Sequence, residues 1–191
     1  MPGPAYEISY LQNTLELLEK YVLSADIYWP VRSAPEAGEL PFPSLTLGGV
    51  LLSLARLNST TISDQHQAMR EQLRGDIESI AIRWRVAWES KAVREFHARL
   101  ILWRDYLDEY RSNPENNTDR YSYEVNRRVM LHLLEPYVEH APEAEKEMLR
   151  GLDQLLKATF QAGEFIWDAW LESAFPPQPY WYLFGKLRGS K

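Results

Sequence analysis

The histidines are the first residues to weigh for chemistry, because an imidazole can ligate a metal or move a proton near neutral pH. The sequence has four: His66, His97, His132 and His140. A carboxylate-bridged di-iron bundle needs a Glu three residues before a His on two helices. Here Ser63, Arg94, Val129 and Tyr137 occupy those positions. Neither a His-x-x-x-His pair nor a His-Glu-x-x-His motif occurs, so the zinc-helix pattern fails as well. The chain has no cysteine, which removes disulfides, thiolate metal sites and cysteine nucleophiles. No metal and no cofactor is expected. His132 stands between Leu131 and Leu133 and reads as a part-buried structural histidine.

Phosphate and acyl chemistry fare no better. No Gly-x-x-x-x-Gly-Lys, Gly-x-Gly-x-x-Gly or Gly-x-Ser-x-Gly motif occurs, so the phosphate-cradling loops and the hydrolase elbow are absent. Gly48-Gly49 opens a helix whose N-terminus could attract an anion, but no lysine stands nearby. Glu164, Asp168 and Glu172 fall at i, i+4 and i+8. On a helix they would form a carboxylate stripe able to hold a cation or a basic partner, and more commonly a solvated face. No catalytic residue can be assigned.

Between positions 70 and 111 stand Arg70, Arg74, Arg83, Arg85, Arg94, Arg99, Arg104 and Arg111, with Trp84, Trp88 and Trp103 interleaved. Basic residues with stacking rings suit single-stranded nucleic acid. Against that, acids stand four residues away in Arg74–Glu78, Arg85–Glu89, Glu95–Arg99 and Arg104–Asp108. Such pairs neutralise the charge within one helix at about 0.2–0.5 kcal/mol each.

The aromatics are the unusual feature: seven tryptophans, eleven tyrosines and six phenylalanines, each able to bury about 150–250 Å². Two proline-bearing stretches, Tyr28-Trp29-Pro30 and Pro179-Tyr180-Trp181-Tyr182, cannot be helical. They either brace the bundle or form an interface, whose cores favour Trp and Tyr. Trp29, Tyr180, Trp181, Tyr182 and Phe184 are the interface candidates. His97, His132, Tyr137 and Glu164 are polar groups beside apolar faces that could line a pocket between helices.

The elements that must position these residues follow the 3.6-residue period. Ile8, Leu11, Leu15, Leu18 and Val22 set a first helix from about Tyr6 to Ser24. An extended connector, 26–43, carries Pro30, Pro35, Pro41 and Pro43. Ser44 is placed to cap a buried helix from Leu45 to Leu57. A single long helix is predicted from Ser63 or Asp64 to about Arg111, roughly 70 Å, either continuous or kinked near Ser90. Its main stripe runs through Leu73, Ile77, Trp84, Trp88, Leu100 and Trp103, and Ile82, Val86 and Val93 form a second. A fourth helix covers about Arg120 to Leu134, a fifth runs from Pro142 to about Ala174, and residues 175–191 form a C-terminal strap. No sustained period-2 run signals a strand.

The expected fold is therefore all-α: one domain of 191 residues, a bundle of about five helices with one long central helix and two extended, aromatic-rich straps. The net charge of −6 disfavours a nucleic-acid coat. The first residues lack a basic, apolar leader, and the most apolar stretch, Leu45 to Leu57, is too short to span a bilayer. A cytoplasmic protein is expected. Length and helical content are similar to the TetR-type repressors, which need a basic helix-turn-helix near the N-terminus. Here that region is acidic and then proline-rich, so the repressor pattern is not met. The leading functional expectation is a non-catalytic interaction or assembly protein, partnered by another protein or by itself. The alternatives are a small-molecule binder or enzyme with an inter-helix pocket, and a nucleic-acid-associated protein.

Overall fold

The computed structural model describes residues 2–32 and 40–189. Among them run α1 (Pro4–Leu23), α2 (Leu47–Arg56), α3 (Asp64–Arg83), α4 (Arg85–Ser112), α5 (Pro114–Asn117), α6 (Tyr121–Glu124), α7 (Asn126–Leu134) and α8 (Glu143–Thr159). Two short strands, β1 (Phe160–Phe165) and β2 (Phe184–Leu187), complete the elements together with 3-10 turns. The fold is mostly helical, and among the described residues no helix is long and apolar enough to cross a membrane. Pro35 and Gly38 of the connector, and the last two residues of the strap, lie outside the described residues.

Local chemistry explains the helix ends. Pro4 takes the first turn of α1, where its missing N–H costs nothing. The cap of α2 is Thr46 rather than Ser44: its Oγ1 accepts from the Gly49 N–H at 2.9 Å. Ser63 caps α3 by accepting from the His66 N–H.

The predicted long helix is broken. Trp84, at φ −112° and ψ 34°, leaves the helical path between α3 and α4. The ladder closes on both sides of it, Trp84 N–H to the Ile80 carbonyl and Trp88 N–H to the Trp84 carbonyl. The break lies six residues before the predicted kink at Ser90. It lets Leu73 and Ile77 before it, and Trp88 and Ala92 after it, all reach the core. The second stripe is not covered throughout: Ile82 and Val86 stay 78% and 77% exposed.

The fifth helix also stops early, at Thr159. Residues 160–165 pair antiparallel with β2, in register Phe160↔Leu187, Gln161↔Lys186, Ala162↔Gly185 and Phe165↔Phe184, with a bulge between Ala162 and Phe165. Tertiary pairing overrides the helical period here because Phe160 and Phe165 meet Trp181 and Phe184 across the ribbon. Gly185 is required: at φ +145° a Cβ would stand 2.2 Å from the Gln161 carbonyl oxygen. The C-terminal strap is accordingly part ribbon and part 3-10 turn rather than wholly extended.

Helix α4 runs through the middle of the core, burying Phe96, Leu100, Trp103 and Leu107 against α1, α2, α7 and α8. Both straps dock on it or its neighbours. Trp29 bridges Leu45 through paired backbone hydrogen bonds and sets its ring edge-on to Tyr21. Tyr121 Oη donates to the Tyr182 carbonyl at 2.6 Å, and Tyr110 Oη to the Arg188 carbonyl at 2.7 Å.

One polar contact ties α2 to α4. Glu95 is fully buried, and its Oε1 accepts from the Gly48 N–H at 2.9 Å and from Arg99 Nε at 2.6 Å. Arg99 Nη2 in turn donates to Thr46 Oγ1. The carboxylate thus occupies the positive end of α2. This close approach requires glycine, since a Cβ on Gly48 would lie 2.6 Å from Glu95 Oε1 and 3.2 Å from Met130 Cβ.

Gly48→Ala is expected to lose about 1–3 kcal/mol by overpacking. Gly75→Ala, in the interior of α3 with nothing within 4 Å of the added methyl, is expected to gain about 0.5–1 kcal/mol. Urea unfolding of the two variants checks the contrast. Burial raises the phenol pKa of Tyr10, Tyr21, Tyr106, Tyr121 and Tyr182, with Glu95 adding to the rise at Tyr10 and Tyr21. A raised folded pKa gives stability that is full below the unfolded value of about 10 and falls as pH climbs past it, by up to about 1.4 kcal/mol per unit for each tyrosine. Urea midpoints measured from about pH 9 to about pH 11 should therefore drop steeply, with tyrosinate absorbance appearing together with unfolding.

Candidate functional site

The tyrosines of α1 and the arginines of α2, α4 and α7 meet at a cavity of about 570 Å³ between α1, α2, α7 and the connector. Tyr6 and Tyr10 project from α1, where the helical period places both on the buried side. Phe42 packs on both rings at 5.2 Å and 5.9 Å. Three large side chains stand exposed at the rim, Tyr28 at 49%, Leu40 at 68% and Tyr123 at 73%. Leaving such surface in water is costly for a monomeric domain.

The floor is polar and internally bonded. Glu7 is buried and accepts from Ser53 Oγ at 2.6 Å and from Arg56 Nη1 at 2.8 Å. Arg56 Nη2 donates to Asn126 Oδ1 at 2.9 Å. Asn126 Nδ2 donates to the Tyr123 carbonyl, which fixes the start of α7. Arg99, held by Glu95 and Thr46, forms the far end. An apolar hollow with a few fixed polar groups is the general form of a small-molecule site. The other large hollow, about 540 Å³ between α1 and α3, is an open trough lined by Gln12, Asn13, Glu16, Gln72 and Asp76. Leu15, Met69 and Leu73 supply its apolar part, and it has no aromatic wall.

The predicted site residues lie elsewhere. Among the interface candidates, Trp29 packs on Tyr21. Tyr180 stands against Phe175 and His132 at 5.0 Å and 5.2 Å. Trp181 packs on Phe160 with Lys157 Nζ over its ring, Tyr182 is buried beneath Arg128, and Phe184 meets Phe165. These rings are packed on their own chain. Among the pocket candidates, exposed His97 pairs with Glu145 through Nδ1 at 2.7 Å, and His132 Nδ1 lies 3.2 Å from Glu135. Tyr137 sets its ring edge-on to Trp88. Glu164 is exposed on β1, so the carboxylate stripe with Asp168 and Glu172 has no helix to carry it. None of the four lines the 570 Å³ cavity. Among the described residues no three His, Asp or Glu side chains gather as metal ligands would.

Trp88 and Trp103 are buried in the core, so these rings are not free to stack on bases. Three of the predicted i,i+4 pairs are present, Arg74–Glu78, Arg85–Glu89 and Glu95–Arg99, whereas Arg104 pairs with Asp105 and Arg111 rather than Arg104 reaches Asp108. Comparison with known proteins finds no family that matches the chain, and no curated protein or solved structure that does.

Glu7→Ala removes a buried carboxylate from Ser53 and Arg56 and is expected to cost about 3–5 kcal/mol. The double change Glu7→Met with Arg56→Met, which replaces the ion pair by apolar volume, should recover most of that loss. Chemical denaturation of both variants checks this.

Proposed function

We propose that this chain is a non-catalytic small-molecule-binding protein, whose ligand sits in the cavity between α1, α2, α7 and the connector. The observation that carries this reading is the cavity itself. It is a 570 Å³ hollow with tyrosine walls, an exposed apolar rim and a rigid hydrogen-bonded floor. Rim groups such as Tyr28 and Tyr123 gain burial only when something fills the hollow, at about 25 cal/mol per Å² covered. The floor suits recognition better than reaction: Glu7, the carboxylate among the lining residues, has both oxygens engaged by Ser53 and Arg56. A committed carboxylate is poorly placed to act as a general base.

An association reading ranks second. Its specific support is the exposed Ile82–Val86 pair at the α3–α4 break. Two side chains fall far short of the roughly 800 Å² per partner of a specific interface. Light scattering on concentrated protein tests it, and a clean monomer removes it.

Titration with the apolar dye anilinonaphthalene sulfonate, alongside native mass spectrometry, tests the pocket. One dye molecule per chain is expected to bind, and Met130→Trp, which pushes a ring into the hollow, should abolish that binding without lowering the Tm. Saturable dye binding that survives Met130→Trp, or no dye binding at all, would defeat the reading.

A further inference from the structure

Resting on that reading of the cavity, we infer that the ligand is a carboxylate with a flat apolar body, and that Arg127 is the residue that grips its carboxylate. The inference starts from which polar atoms at the cavity wall remain unbonded. Arg127 lines the hollow, and its side chain is 24% exposed. Its Nη1 donates to the Leu102 carbonyl and is paired with Glu124. Its Nε and Nη2 have no hydrogen-bond partner among the described residues. Those two N–H groups form one edge of the guanidinium fork, the edge that binds a carboxylate through two parallel hydrogen bonds.

Among the described residues no carboxylate already fills that role. Glu95 and Glu124 are buried and do not line the hollow, and Glu124 is shared between Arg120 and Arg127. Glu109 holds the other side of Arg120. Glu7 does line the hollow, but Ser53 and Arg56 occupy its oxygens. The Arg127 edge therefore offers two N–H donors side by side, which suits a ligand group with two acceptor oxygens. Tyr123 stands four residues before Arg127, so it shares that side of the α6–α7 segment, and it also lines the hollow, 73% exposed. A ring bound there would lie against a tyrosine face while its carboxylate meets the guanidinium.

The test uses three probes of equal size, naphthoate, naphthamide and naphthylmethylammonium, with affinities measured by calorimetry on the full chain. Naphthoate is expected to bind about tenfold or more tighter than naphthamide, and the ammonium probe most weakly. Arg127→Gln should bring naphthoate down to the level of naphthamide and leave naphthamide unchanged. Arg127→Lys keeps the charge without the fork and should fall between. Equal binding of acid and amide, preference for the ammonium, or an unchanged ratio in Arg127→Gln overturns the carboxylate assignment. Dye binding that Met130→Trp removes would leave the cavity reading standing even then. If neither dye nor any probe binds, both fall. If Arg127→Gln does not fold, the probe ranking on the unaltered chain and on Arg127→Lys still decides.

Discussion

The Glu95 carboxylate is the contact on which the arrangement of the core depends. It lies in the dry interior, accepts from the Gly48 N–H in the first turn of α2 and is held by Arg99, which also ties back to the cap residue Thr46. A buried carboxylate without such partners would cost several kcal/mol. With them it fixes both the height and the rotation of α2 over α4. That rotation aims Ser53 and Arg56 at Glu7, and so builds the floor of the cavity. Glycine at position 48 is the condition for the approach, because any side chain there would fill the space the carboxylate needs.

The same logic recurs at the other end of α1. Lys91 is buried, yet its Nζ donates to the Ser24 carbonyl at 2.8 Å, to Ser24 Oγ at 3.1 Å and to the Asp26 carbonyl at 2.7 Å, with the Tyr21 ring 4.3 Å below it. A cation at the carbonyl end of a helix and a carboxylate at the amide end of another use opposite ends of the same dipole. Both come from little more than one turn of α4. That helix therefore reads out the directions of α1 and α2 electrostatically as well as by packing.

The apolar periods made the helical class legible, and α1 lies within two residues of where they placed it. They did not reveal the site, because it is built from polar residues standing on buried stripes. Glu7 falls in the series with Leu11, Thr14, Leu18 and Tyr21, and Glu95 and Arg99 in the series with Trp88, Ala92 and Trp103. The spacing of Glu95–Arg99 is equally that of an i,i+4 surface pair. Its place on the apolar side was the available signal that it is interior. The helix break at Trp84 had no such signal, since neither proline nor glycine marks it. The ribbon of 160–165 was hidden for a different reason: Ile166 and Trp170 continue the helical spacing of α8 by coincidence, and the competing strand partner lies some twenty residues downstream.

That ribbon has an implication for how the chain is made. Phe160, Phe165 and Trp167 each have a ring partner in residues 175–184, and the Tyr110 and Tyr121 hydroxyls donate to carbonyls at 188 and 182. Until residues 175–188 leave the ribosome, the segment that precedes them carries aromatic surface and tyrosine hydroxyls whose downstream partners have not yet been made. Nascent chains stalled just short of the second ribbon strand should consequently be the sticky species, and emergence of that strand the step that covers these rings.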